Sequence, residues 1–237
     1  MTGTVYRSPR AAFAGGARDY VRLPAVAMAA GFVGFGAIVH DTGLDLVQAM
    51  ATTAGMTQIP AQIVMVEMAQ AGAGLTGVFL AVAFIGARLL PMAISLMPIL
   101  RLGARGPIEL YAGVHVLATM SWTHSMRRCP DLPLDQRMPY YWGIALANWV
   151  VVIAGTAVGH MLAGTVAPEI LLGLVFLTPV FFLLLFVAES PDRSGVAALA
   201  FGAVLGPAIH LVSPEWSVLA GGILAGTAAF MLGAPRR

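Results

Sequence analysis

Glu67 and Arg88 each interrupt runs that hold no other charge. An ionisable group at membrane depth costs about 2.5–3.5 kcal/mol on insertion scales, so it normally faces a partner, a cavity or a translocated solute. A plainer role is also open: Glu67 at an interface, and Arg88 snorkelling to a headgroup. Snorkelling is harder for Arg88, which lies far from the nearest basic loop. A Glu67–Arg88 ion pair is compatible with the sequence. The stretch Thr52-Thr53-Ala54-Gly55-Met56-Thr57-Gln58-Ile59-Pro60 offers a different chemistry. Gly55 and Pro60 can break a helix. A break exposes amide hydrogens at a positive helix start, which suits a carboxylate. Thr53, Thr57 and Gln58 add hydroxyl and amide groups. The competing reading is a polar contact between helices. Asn148 lies deep in an apolar run and needs a partner, in a cavity or on a neighbouring helix.

Other chemistries find no support. The five histidines show no i, i+3 or i, i+4 pair, so no metal site is expected. His40, Asp41 and Asp45 read as a solvated helix cap. The single cysteine, Cys129, permits no internal disulfide. No nucleophile elbow, phosphate loop, paired catalytic acids or nucleotide fingerprint is present. The sequence therefore predicts no enzyme, no cofactor and no ATP-driven pump. All thirteen basic residues are arginine and form no patch, so nucleic acid is not an expected partner.

The elements that must position these residues are set by composition. Of 237 residues, 59% are hydrophobic and 10% charged. Soluble domains carry about 25% charge. So little charge cannot cover a water-facing surface of this size. Runs free of acidic and basic residues cover 23–39, 46–66, 68–87, 89–100, 110–126, 138–168, 170–188, 194–214 and 216–235. Many approach the roughly 20 residues that one crossing needs. The expected fold is all-α: a polytopic transmembrane bundle of seven or eight segments, one or two of them broken or re-entrant. Residues 1–22 form a basic cytoplasmic segment, 23–233 a single transmembrane transport domain, and 234–237 a cytoplasmic tail.

Orientation separates two topologies. A single crossing at 110–126 would put the basic loops 101–105 and 127–137 on opposite sides, against the positive-inside bias. Broken or re-entrant segments at 46–70 and 110–126 would keep both inside. These two segments are also the most polar, and lipid cannot satisfy an open backbone. Carriers often build a midplane site from such breaks, and the polar groups of both segments are expected to converge on one chamber. Gly155–Gly159, Gly202–Gly206 and Gly222–Gly226 have small-xxx-small spacing for close helix approach. Pro91, Pro98, Pro179 and Pro207 are expected to kink their helices. Trp122, Trp142 and Trp216 suit interface positions.

In order and spacing, Thr53-Ala54-Gly55-Met56-Thr57-Gln58, Gly86-Ala87-Arg88 and Leu100-Arg101 resemble the AzlC-type branched-chain amino-acid permeases. Tyr140-Tyr141-Trp142-Gly143, Trp149 and Gly155–Gly159 are similar to that family's middle portion. The stretch Gly173-Leu174-Val175-Phe176-Leu177-Thr178-Pro179 is similar to a later motif. The resemblance implies export of branched-chain amino acids across a bacterial cytoplasmic membrane, beside a small AzlD-type membrane subunit. Gln58 and Arg88 keep the family's residue types, and Thr57 replaces a similar hydroxyl. Gly86 stands where the family has Asn, Val175 where it has Asp, and 121–123 holds no acid. Carboxylates there could carry protons or meet an amino group.

The expected site thus comprises Thr53, Gly55, Thr57, Gln58 and Arg88, with Glu67 and Asn148 as coupling or pairing groups. The expected ligand is a small amino-acid-like solute, and the lost carboxylates leave a non-transporting accessory subunit as the alternative.

Overall fold

The computed structural model describes residues 6–21, 23–189, 193–212 and 217–233. Arg22, Trp216 and the Arg236–Arg237 tail lie outside the described residues. Among those described, all regular structure is helical. The α-helices are α1 (Pro9–Tyr20), α2 (Leu23–Asp41), α3 (Leu46–Gly55), α4 (Ile59–Gln70), α5 (Leu75–Gly86) and α6 (Leu89–Arg101). They continue with α7 (Pro107–His115), α8 (Thr119–Arg128), α9 (Leu134–Leu162), α10 (Pro168–Glu189), α11 (Arg193–Val212) and α12 (Ser217–Gly233). A 3-10 turn at Cys129–Asp131 joins α8 to α9. The chain divides within α10 into two compact units, Met1–Thr178 and Pro179–Arg237.

In the first unit α9 is the spine. Its 29 residues rise about 1.5 Å each, which exceeds the roughly 30 Å of a hydrocarbon core. Helices α1 and α2 both lie along it, on its amino-terminal and carboxy-terminal halves. Glycine permits both approaches. A Cβ on Gly143 would strike the carbonyl of Phe13, and one on Gly16 the carbonyl of Tyr140. Further along, Gly36 faces the Thr156 carbonyl and Gly159 the Val33 carbonyl. The Gly155–Gly159 spacing therefore serves close packing, as its pattern predicts. Gly202, Gly222 and Gly226 meet nothing within 4 Å. A Cβ on Gly206 likewise meets nothing within 4 Å, although one on Gly221 would lie 3.3 Å from the Gly206 Cα.

Helix α1 is held by polar bonds as well. Gln136 bridges the backbone N–H and C=O of Tyr6 at 3.1 and 2.9 Å. The Tyr140 hydroxyl donates to Asp19 Oδ2 at 2.9 Å, and the Tyr20 hydroxyl to Asn148 Oδ1 at 2.9 Å. The segment before residue 22 thus packs on α9 as α2 does.

Both polar segments are interrupted. Residues 46–70 form α3 and α4 with a gap at 56–58, and 110–126 falls on α7 and α8 with a gap at 116–118. Gly55 ends α3, and Pro60 sits in the first turn of α4, where a missing N–H costs nothing. A third interruption fits the kink expected at Pro91. Helices α5 and α6 meet at a 54° bend at Ala87–Arg88. The cause is Pro91: it cannot donate to the carbonyl of Ala87, and its ring crowds that carbonyl. By length and composition two described helices can cross a membrane, or four if each of two bent pairs forms one span. Helices α3, α4, α7 and α8, at 10, 12, 9 and 10 residues, are individually too short.

Candidate functional site

The α3–α4 gap is extended backbone, with Met56 at φ −146°, ψ 122° and Gln58 at φ −131°, ψ 97°. Gln58 occupies the N-cap position of α4, yet its side chain makes no cap bond. Its Oε1 instead accepts from Arg88 Nε at 3.3 Å. Arg88 is placed there by the α5–α6 bend. Gly86 lies beside it, and a Cβ on Gly86 would sit 3.7 Å from Gln58 Nε2. Two helix interruptions therefore meet through one amide–guanidinium bond, while the first turn of α4 keeps uncapped N–H groups.

One turn back, the gap rests on α9. Trp149 Nε1 donates to the Ala54 carbonyl at 3.1 Å, satisfying one carbonyl at the α3 carboxy terminus. Thr53, wholly buried, shares a hydrogen bond of 2.9 Å with Thr156 of α9. Gln62 Nε2 donates to Thr53 Oγ1 at 3.0 Å and lies 3.4 Å from Thr52 Oγ1. Gln62 and Thr156 were not among the expected site residues. Their signal was weak: a second amide one turn past Gln58, and a hydroxyl directly after Gly155.

The structure sorts the expected residues. It brings Gln58 and Arg88 together and sets Thr53 one turn from them. Gly55 is exposed, and a Cβ there would meet nothing within 4 Å, so its role is to end α3. Thr57 is half-buried in the gap. Glu67 lies nine residues beyond Gln58, roughly 13 Å along α4. It is exposed and makes no ion pair with Arg88. Asn148 is buried and already holds the Tyr20 hydroxyl.

The second broken segment stands elsewhere. Gly113 of α7 accepts from the Tyr141 hydroxyl at 2.5 Å, and Trp122 of α8 donates to Ser95 of α6 at 2.9 Å. Ser121 and Thr123 bond to carbonyls of their own helix turn. Tyr141 precedes Trp149 by eight residues, roughly 12 Å along α9. Gly113 and Ala54, each just before its break, thus meet α9 at different levels. The reason is the length of α9, which offers separate docking levels to α3 and α7.

An all-helical membrane protein with polar side chains gathered at a helix break is the class these features define. The family model described as AzlC protein matches residues 25–166, more than half of the chain, and the protein belongs to that family. The matched region runs from α2 through α9 and contains the α3–α4 gap, Arg88 and Thr156. The family is one associated with branched-chain amino-acid transport rather than with an enzymatic reaction. No curated protein and no solved structure matches the chain.

Proposed function

We propose that the protein is a carrier of the bacterial cytoplasmic membrane that exports branched-chain or similar amino acids. The single observation behind this reading is the Gln58–Arg88 bond of 3.3 Å, which joins the α3–α4 gap to the α5–α6 bend. A charge at a helix break beside uncapped amides is how a carrier can receive a carboxylate at membrane depth. The solute's carboxylate lies at the start of α4, and Arg88 supplies positive charge. Thr57 offers a hydroxyl, and Met56 apolar surface. Residues 23–233 form the transport domain, crossing seven or eight times with α3–α4 and α7–α8 as broken segments, and the amino terminus is cytoplasmic. An AzlD-type small membrane subunit completes the permease.

The test is valine and leucine efflux from preloaded cells carrying Arg88→Ala or Gln58→Ala. Arg88→Ala lowers efflux about tenfold or more, since a hydrogen bond to a charged group contributes about 1.5–3 kcal/mol. Gln58→Ala costs less, because the guanidinium remains. Wild-type rates in both well-expressed variants would remove the site. Absence of efflux by the unaltered protein, with and without its small subunit, would favour an accessory subunit that does not transport.

A further inference from the structure

The hydroxyls between α3 and α9 form a chain with a readable direction. Thr156 has one hydroxyl hydrogen and donates it to the Val152 carbonyl at 3.1 Å. Either hydroxyl could donate in the 2.9 Å Thr53–Thr156 bond, and with the Thr156 hydrogen on the Val152 carbonyl it is Thr53 that does. With its own hydrogen spent, Thr53 can only accept from Gln62, at 3.0 Å. The amide nitrogen of Gln62 therefore faces Thr53. The reverse orientation would turn both threonine hydrogens round, cost Thr156 its Val152 bond and leave the Gln62 nitrogen without its two threonine acceptors. The consequence falls on the other end of the amide. Gln62 is wholly buried, and among the described residues no group donates to its Oε1. A buried acceptor left unmet is costly, and native proteins rarely carry one without a purpose.

We infer that Gln62 Oε1 is the acceptor for the primary ammonium group of the transported solute, and so selects amino acids over the matching carboxylic acids. This rests on the transport reading above. Two observations set the chemistry. An amide oxygen with no donor calls for an N–H or O–H group. The Gln62 amide also lies against the last turn of α3, within bonding reach of Thr53 and at 3.4 Å from Thr52. A helix carboxy terminus carries partial negative charge and favours a cation over a neutral donor. The start of α4 has the opposite polarity and favours a carboxylate. The break thus presents both polarities on the two sides of the 56–58 gap, without an acidic side chain. Because Gln62 is buried, this contact belongs to the occluded complex.

The experiment is competition binding to the purified protein, with its small subunit, in lipid nanodiscs. Radiolabelled L-valine is displaced by L-valine or by 3-methylbutanoate, which keeps the carboxylate and branched chain but lacks the amine. The unaltered protein prefers valine, and Gln62→Met reduces that preference about tenfold or more while leaving 3-methylbutanoate binding unchanged. As the neutral acid, Gln62→Glu donates its O–H to Thr53, keeps a carbonyl acceptor for the ammonium group and maintains the preference. Should Gln62→Met not fold, judged by elution profile and helical circular dichroism, Gln62→Glu decides alone: a reduced preference there overturns the assignment. An unchanged preference in a folded Gln62→Met protein, or equal weakening of both compounds, overturns the assignment but leaves the transport reading standing. Failure of the unaltered protein to bind valine overturns both.

Discussion

At the scale of single residues, exposure and bonding separate side chains that look alike in sequence. Cys129 is wholly buried in the turn after α8, and burial pushes its thiol up to about 12. The thiolate is the reactive form, so at neutral pH the folded protein has almost none. Cys129 is expected to resist iodoacetamide at pH 7.5 and to react fully once denatured, as intact mass would record. Asn148 and Gln62 make the complementary contrast. Both are buried amides in apolar surroundings. Asn148 Oδ1 is met by the Tyr20 hydroxyl, whereas the Gln62 oxygen has no donor among the described residues. One amide fastens α1 to α9 and the other is free to receive a ligand. Sequence marked Asn148 as a site candidate and Gln62 only as part of a polar segment, because the Asn148 donor lies 128 residues away and the burial of Gln62 depends on how α4 packs.

At the scale of elements, glycine and proline positions shape the site. Gly159 lies against the backbone of Val33 between α9 and α2, while Gly202 of α11 meets nothing within 4 Å. Gly159→Ala is expected to destabilise by about 1–3 kcal/mol, the usual cost of overpacking against atoms that cannot move aside. Gly202→Ala is expected to be neutral or slightly stabilising, since alanine is the better helix former. Thermal unfolding of the two variants in one detergent checks both. Pro91 sets the bend that aims Arg88 at Gln58. Pro91→Ala gives position 91 an N–H that can replace Leu90 N–H on the Ala87 carbonyl, now bonded at 3.0 Å, and lets α5 continue into α6. Valine efflux is expected to fall with expression intact, and efflux at the unaltered rate would show that the bend is not required.

At the scale of the molecule, the two topologies differ in one loop. Broken segments keep 101–105 and 127–137 on the cytoplasmic side, whereas eight full crossings place 101–105 outside. Ala104→Cys in intact cells is expected to stay unlabelled by a membrane-impermeant maleimide and to label in inverted vesicles. Labelling from outside would support eight crossings. The buried Cys129 adds no background to this measurement.

Composition and run length alone determined that the chain is helical and suited to lipid, because both depend only on local residue types and the thickness of a bilayer. The interruptions in 46–70 and 110–126 were legible for the same reason: Gly55, Pro60 and clustered hydroxyls act within one or two turns. Pro91 was legible in the same way, and its bend falls about one turn upstream, beside Arg88. Only the tertiary structure decided which polar groups share a site. Gln58 meets Arg88 across 30 residues, Thr53 meets Thr156 across 103, and Asn148 meets Tyr20 across 128. A hydrogen bond depends on distance in space, and the folding of α1 and α3 against one long helix, with the α5–α6 bend set beside α4, fixed those distances.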